Sequence, residues 1–426
     1  MTSCISLRRF GTWVVLASLF AAIGCSNKKP PNFGGELPPG QVALRKIDPK
    51  DYPDFSKATW NLNLLGRAVD NSIDYLRHPS AKRSFPYLDI SHDRAMATCV
   101  AFKELVAQAY GRADAGPFID QEIRARFEVY KSYGAPEADG KAYTDIVLFT
   151  GYFAPIYDAS LTKQGPYQWP LYKRPQGLVT DATGETSQPW RTRQEIESGA
   201  MAGQELVWLK TRWEAYVITV QGSARLKLTD GRMYEIGYAG HNGYEYLHPS
   251  PAEALVADGY IPKSELSGKR MGQVFAEHPE LMDKYLWMNK RTVFFTERPG
   301  GPFGALNVPV TTSATIATDK TLDKLVNMTI YPRAMPAFLN VPMPVAGNPE
   351  QKWRFMGFMM DQDTGGAIRA AGRCDIYMGI GPDAERVAGY QLNEGELYYI
   401  AVKPELVPQY LAMQKAGSAT PPAMAK

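Results

Sequence analysis

The chain has 426 residues, with 47 Lys+Arg against 44 Asp+Glu and only 21% charged residues. That balance excludes the concentrated basic surface of a nucleic-acid binder, and 45% apolar with 12% aromatic residues excludes a largely disordered chain. The length accommodates two or three domains that bury their cores without disulfide staples, and the 4 cysteines form neither a framework nor a zinc-ligand spacing.

Residues 1–24 read as an export signal. Arg8 and Arg9 supply its basic start, and Trp13 to Ile23 an apolar run too short to span a bilayer comfortably. Ala22-Ile23-Gly24-Cys25 followed by Ser26 resembles a bacterial lipobox, in which Cys25 is acylated and becomes the new amino terminus. Ala22 stands where that pattern prefers Leu, and the other reading is an ordinary signal peptide cleaved nearby. Ser26 favours sorting to the outer membrane of a Gram-negative cell, while Ser6 to Phe10 faintly resembles a twin-arginine signal. Residues 25–44, rich in Pro, Gly and Asn, then read as a lipidated flexible tether. An anchored tether holds the folded part at the periplasmic face of the outer membrane.

From 56 to 135 the pattern is mainly helical. Trp60, Leu64, Leu65, Ala68, Val69, Ile73 and Leu76 fall near helical spacing. A second helix starts at Ser91 and stops at Gly111; a third carries Phe118, Ile119, Ile123, Phe127 and Tyr130 and stops near Gly134. From about 145 strands take over: Ile146 to Phe149, Tyr216 to Val220, and a hairpin turning at Thr229-Asp230-Gly231. After a helical break at 251–290, strands resume at Thr292–Thr296, Thr315–Thr318, Ala337–Val341, Arg354–Met360, Cys374–Met378 and Leu397–Val402. Short strands between Gly and Pro turns predict a mainly β, α+β fold built on barrels, with amino-terminal helices.

Several chemistries find no support. No phosphate-cradling Gly-Lys-Ser/Thr run is present, Gly379-Ile380-Gly381 reads as a turn, and the 5 histidines lack zinc spacing, so no cofactor or metal is expected. A Ser-His-Asp triad stays open, although no nucleophile-elbow motif appears. Carboxylates remain, and they are densest over 361–383. Asp363 precedes the Thr364-Gly365-Gly366 loop, where backbone can approach a ligand; its bland reading is a turn-capping aspartate. Asp375 lies in the apolar strand Cys374 to Tyr377, where desolvation is expected to raise its pKa towards that of a general acid. A barrel-mouth acid bonded to backbone is the equal alternative. Asp383, after Pro382, reads best as a first-turn helix acid.

This block resembles the carboxyl-terminal three-aspartate domain of the membrane-bound lytic murein transglycosylase A family. Further segments follow the family in order: Phe149 to Pro155 with its Thr-Gly-Tyr, Gln164-Gly165 with Pro170-Leu171-Tyr172, Arg193-x-Glu195, Val220 to Ser223, Gly237 to Gly243, and Gly304 to Pro309. The resemblance implies a double-psi β-barrel domain, 45–153 with 246–403, a smaller barrel inserted over 154–245, and a disordered tail over 404–426. It implies peptidoglycan glycan strands as partner, and cleavage of the β-1,4 bond between N-acetylmuramic acid and N-acetylglucosamine to a 1,6-anhydromuramyl end. Asp375 is then the single general acid and base, Asp363 a supporting aspartate, and Asp383 a third motif aspartate of uncertain role. Thr150, Tyr152, Gln221 and Tyr377 are the groove residues expected to bind substrate, since tyrosine rings stack on sugar faces. Cys374, where an aliphatic residue is expected, and Ala154, where an acid is expected, depart from the pattern. Cys99 and Cys374 are expected to be separate buried thiols. A water-using peptidoglycan hydrolase and a non-catalytic murein-binding lipoprotein are the alternatives.

Overall fold

The computed structural model describes residues 30–180, 186–246 and 249–418. The export signal, Cys25 and residues 419–426 lie outside the described residues. Strand β1 (Leu44–Lys46) leads to helices α1 (Leu62–Arg77), α2 (His92–Ala109) and α3 (Ala115–Arg126), then to β2 (Phe127–Ser132) and β3 (Val147–Ala154). A second sheet gathers β4 (Ile156–Ser160), β5 (Trp169–Tyr172), the single turn α4 (Arg193–Glu195), β6 (Glu205–Leu209), α5 (Arg212–Gln221), β7 (Ser223–Leu228) and β8 (Met233–His241). Helices α6 (Pro251–Ala257), α7 (Gly268–Glu277) and α8 (Leu281–Leu286) precede β9 (Val293–Glu297). The chain then returns through β10 (Thr315–Ala317), a small ribbon of β11 (Leu322–Asp323) and β12 (Met328–Thr329), β13 (Pro336–Val345), β14 (Asn348–Asp363), β15 (Arg373–Ile380), α9 (Pro382–Gly389), β16 (Leu392–Val402) and α10 (Val407–Ser418).

In the first sheet the strand order is β1-β2-β16-β13-β14-β10-β15-β3, and β3 also pairs with β16. That extra pairing closes β3, β16, β13, β14, β10 and β15 into a barrel, from which β2 and β1 extend. The parallel pairs β10–β14 and β15–β3 are what its interleaved connections require. Closure removes the free edges that an open sheet would expose. Phe149, Ile316, Leu339, Cys374 and Ile376 share one buried face of the sheet, while Phe338 and Phe358 lie on the other, against Phe55 and against Phe102 of α2. The second sheet, order β5-β6-β4-β7-β8-β9, curls until a bridge joins Lys173 to Phe295, around Leu171, Val207, Leu209, Ile218, Leu226 and Phe295. The mainly β, two-barrel class is therefore the one observed.

Five expectations need correction. The third helix stops at Arg126, and Phe127 and Tyr130 belong to β2, where β16 offers a strand to pair with. Tyr216 to Val220 is helical: Thr211 and Glu214 form a capping box at the start of α5, and Gly222 ends it with φ 79°. The inserted barrel does not end at 245, because β9 pairs with β8 from the far side of α6–α8. Helices α6–α8 bury a cluster of their own around Leu255, Phe275, Tyr285 and Leu286. The stretch expected as a tether is tied to the body over its described part. Asn32 N–H donates to Pro136 O (3.0 Å), Gly40 N–H to Asp323 (2.7 Å), and Val42 to Leu44 are buried. Lastly, 404–418 is helical and docked, with Tyr410 buried and accepting a 2.9 Å hydrogen bond from Arg126.

Candidate active site

Asp363 and Asp375 are brought together by a strand that neither belongs to. Short β10 lies between β14 and β15, and its Ala317 pairs with Asp363 on one side and Asp375 on the other. Asp375 pairs in turn with Thr150, and Tyr377 with Tyr152, on β3. Side chains in register across a sheet share a face, and alternate residues along a strand repeat it. One outward face therefore carries Asp363, Asp375, Thr150, Tyr377, Tyr152 and Arg373. The opposite face turns Cys374, Ile376, Met378, Val147 and Phe149 into the core.

Two glycines allow the close packing this needs. A Cβ at Gly151 would stand 2.8 Å from Ala388 Cα, so only glycine between Thr150 and Tyr152 lets α9 lie against β3. A Cβ at Gly304 would meet Gln362 O at 2.6 Å, so glycine lets the 303–309 loop reach the end of β14. That loop presents Ala305 N–H to Asp363 at 2.8 Å.

The two carboxyls sit in different surroundings. Asp363 accepts from Ala305 N–H, from its neighbour Thr364 N–H and from the Tyr152 hydroxyl, each at 2.8 Å. It keeps some solvent-facing area, yet burial of the carboxyl in packed atoms outweighs these donors and pushes its pKa up to about 6. Asp375 is not enclosed by apolar groups as expected: its side chain is 17% exposed and lies 3.6 Å from Arg373. The Thr150 hydroxyl donates to Asp375, and Arg373 Nη2 donates to Thr150 Oγ1 at 3.2 Å.

The expected groove residues divide. The Tyr152 and Tyr377 rings lie 5.1 Å apart beside the aspartates, but Tyr377 is 2% exposed and, contrary to expectation, presents no ring face for stacking. The Tyr377 hydroxyl is buried with no hydrogen-bond partner among the described residues. Gln221, at the end of α5, accepts from Phe153 N–H at 3.1 Å and joins the inserted barrel to β3. Asp383 stays outside the site, its side chain 95% exposed and 3.1 Å from Arg386 in the first turn of α9. Cys99 and Cys374 are free and buried; burial pushes the Cys99 thiol up to about 12.

Two features escaped the sequence. Arg373 was legible in principle, since it lies two positions before Asp375 and so on the same strand face. The ion pair of Lys320 with Asp361, 3% and 0% exposed, had no local signal. Asp361 also accepts from Thr318 (2.7 Å) and Tyr399 (2.6 Å), and Lys320 donates to Pro332 O at 2.8 Å. Burial pulls the Lys320 ammonium down against the pull of Asp361. Among the described residues no group of three or more His, Cys, Asp or Glu is arranged to hold a metal ion, and no helix is long and apolar enough to cross a membrane.

Fold and site together define a two-barrel protein with an aspartate pair set on one face of a closed six-stranded barrel, beside an inserted second barrel. Two family profiles match it. The MltA specific insert domain covers residues 148–296 and the 3D domain residues 314–401, more than half of the chain between them. The chain belongs to the membrane-bound lytic murein transglycosylase A family. It is 29% identical over 265 residues to the Escherichia coli K12 protein of that name, a stretch covering 61% of this chain and 66% of the relative. Against the Vibrio cholerae protein of that name it is 27% identical over 262 residues, 60% of this chain and 66% of the relative. The matched stretch thus spans just under two thirds of these curated relatives. A crystal structure of E. coli MltA with bound chitohexaose is similar at TM-score 0.63 and 25% identity, covering 88% of this chain and 98% of that one. A membrane-bound lytic murein transglycosylase from Agrobacterium tumefaciens shares the fold at TM-score 0.66 and 22% identity, covering 86% and 99%.

Proposed function

We propose that this protein is a lytic transglycosylase. In this reading it cleaves the β-1,4 bond between N-acetylmuramic acid and N-acetylglucosamine in peptidoglycan and leaves a 1,6-anhydromuramyl end. The observation that carries the reading is the inequality of the two carboxyls. Asp375 takes a single side-chain donor, the Thr150 hydroxyl, beside the Arg373 guanidinium, whereas Asp363 is held by three donors. Ordinary glycosidases need two working carboxyls, one to protonate the leaving oxygen and one as nucleophile or base. When the muramic C6 hydroxyl attacks its own anomeric carbon, proximity replaces the second group.

Asp375 then protonates the glycosidic oxygen and afterwards accepts the C6 hydroxyl proton, returning to its starting state without water. Thr150 and Arg373 hold it in position, and Asp363 supports the same face through Tyr152. The half-buried Tyr152 ring offers apolar surface to the sugars and Gln221 the NH2 of its amide, while Tyr377, 2% exposed, packs against Tyr152 as its support. The glycan-bound E. coli relative supports a glycan as ligand. Acylation at Cys25 would keep the enzyme on the periplasmic face of the outer membrane, near its polymer; the relatives' membrane-bound names support attachment to a membrane.

Mass spectrometry of muropeptides released from sacculi tests the reaction. Anhydromuramyl ends are expected, and reducing muramic acid ends would sink the lytic reading in favour of hydrolysis. Asp375→Asn should lower release by at least about 10²-fold while leaving glycan binding nearly unchanged. Full activity in that variant would remove Asp375 from the chemistry.

A further inference from the structure

The outward face does not end at Thr150. On its other side β3 pairs with the start of β16, Thr150 with Leu392 and Leu148 with Glu394. Leu148 also pairs with Arg373. The row that begins at Asp363 therefore runs through Ala317, Asp375 and Thr150 to Leu392. At the usual strand spacing Leu392 stands about 10 Å from Asp375, backbone to backbone. Burial follows the same alternation: Gln391 is 2% exposed and Leu392 66%.

A lone exposed leucine says little, since much of any protein surface is apolar. Leu392 differs in how it is held and where. Its neighbour Gln391 is buried, with its amide donating to Phe149 O (3.3 Å) and Pro342 O (3.4 Å), which pins this end of β16. Leu148, half-buried on the adjacent strand, is a diagonal neighbour within reach of Leu392. The pair makes an apolar ledge on a face whose other members, Ala317 apart, are polar or aromatic.

We propose that Leu392, backed by Leu148, seats the methyl group of an N-acetyl substituent on a sugar neighbouring the cleaved bond. This proposal rests on the glycan reading of the cleft. Its chemistry is the shape of an acetamido sugar: a polar ring and amide, with one methyl that gains by leaving water. An apolar side chain rigidly presented beside hydrogen-bonding groups matches that mixture, and it makes Leu392 a specificity determinant with no part in the proton transfers.

The test uses the full chain carrying Asp375→Asn, so that ligand is not consumed. Calorimetry compares a β-1,4 hexamer of N-acetylglucosamine with its N-formyl counterpart, which lacks only the methyls. The parent should prefer the acetyl hexamer, and Leu392→Ala should shrink that preference about three- to tenfold. An unchanged preference with binding intact would overturn the ledge and leave the glycan reading standing. Failure of both hexamers to bind the parent would overturn the glycan reading, and the ledge with it. Leu392 is exposed, so the substitution does not threaten the fold, and near-UV circular dichroism checks this.

Discussion

Asp363→Asn converts the environment of one carboxyl into a measurable pH dependence of stability. The folded protein holds this proton up to about pH 6, whereas an unfolded aspartate releases it near 3.8. The stability contributed by the protonated carboxyl is therefore complete below 3.8 and is lost as pH rises through about 6. Each tenfold difference in proton affinity is worth about 1.4 kcal/mol, so the full span is about 3 kcal/mol, an upper value because part of the residue faces solvent. Asparagine keeps an oxygen for Ala305 and Thr364 but carries no charge to desolvate. Urea unfolding of both proteins at pH 4, 5, 6 and 7.5 should show the variant gaining on wild type by about 2 kcal/mol across the series, with most of the gain between pH 4 and 6. A difference that stays flat with pH, or grows in the opposite direction, would refute the assignment of burial as the dominant influence on Asp363.

Two further outcomes follow from named contacts. Thr150→Val removes the hydroxyl that donates to Asp375; release of muropeptides should fall about 10- to 100-fold with glycan affinity moving less than about threefold, because only the position of the acid is disturbed. Equal losses in affinity and turnover would make Thr150 a binding residue alone. Lys320→Met strands the Asp361 carboxylate in the core and should cost about 3–5 kcal/mol in urea unfolding, most of it returned by adding Asp361→Asn. A double variant no more stable than the single one would show that the pair is not an electrostatic unit.

The legible parts of this chain were those whose signal is local. The spacing of Leu65, Ala68, Val69, Ile73 and Leu76 marks α1, and Thr229-Asp230-Gly231 marks the β7–β8 turn, because one face or one turn decides each. At 216–220 the strand-like run Tyr-Val-Ile-Thr-Val is overruled by the capping box at Thr211 and the glycine at 222, both equally local and better placed to decide. The misplaced end of the inserted barrel has another origin. Pairing of β9 with β8 spans helices α6–α8, and no residue near 245 encodes it.

The site shows the same division within one strand. The run Cys374-Asp375-Ile376-Tyr377-Met378 suggested an acid sunk in apolar surroundings. In a strand, however, the apolar neighbours at 374, 376 and 378 describe the core face, and Asp375 points the other way, beside Arg373 and Thr150. What encloses Asp363 lies far off in sequence: the Gly304–Ala305 loop on one side and Tyr152 from β3 on another. Burial of a carboxyl is thus set by whatever packs across its face. In a barrel whose strands arrive from both ends of the chain, that is decided by closure. Closure is also why the inserted barrel can lie between β3 and β10 in sequence while the aspartates, Ala317 and Thr150 still form one row. The connection can lengthen at Pro155 without disturbing a register fixed by β15 pairing with β3 and β10 on either side.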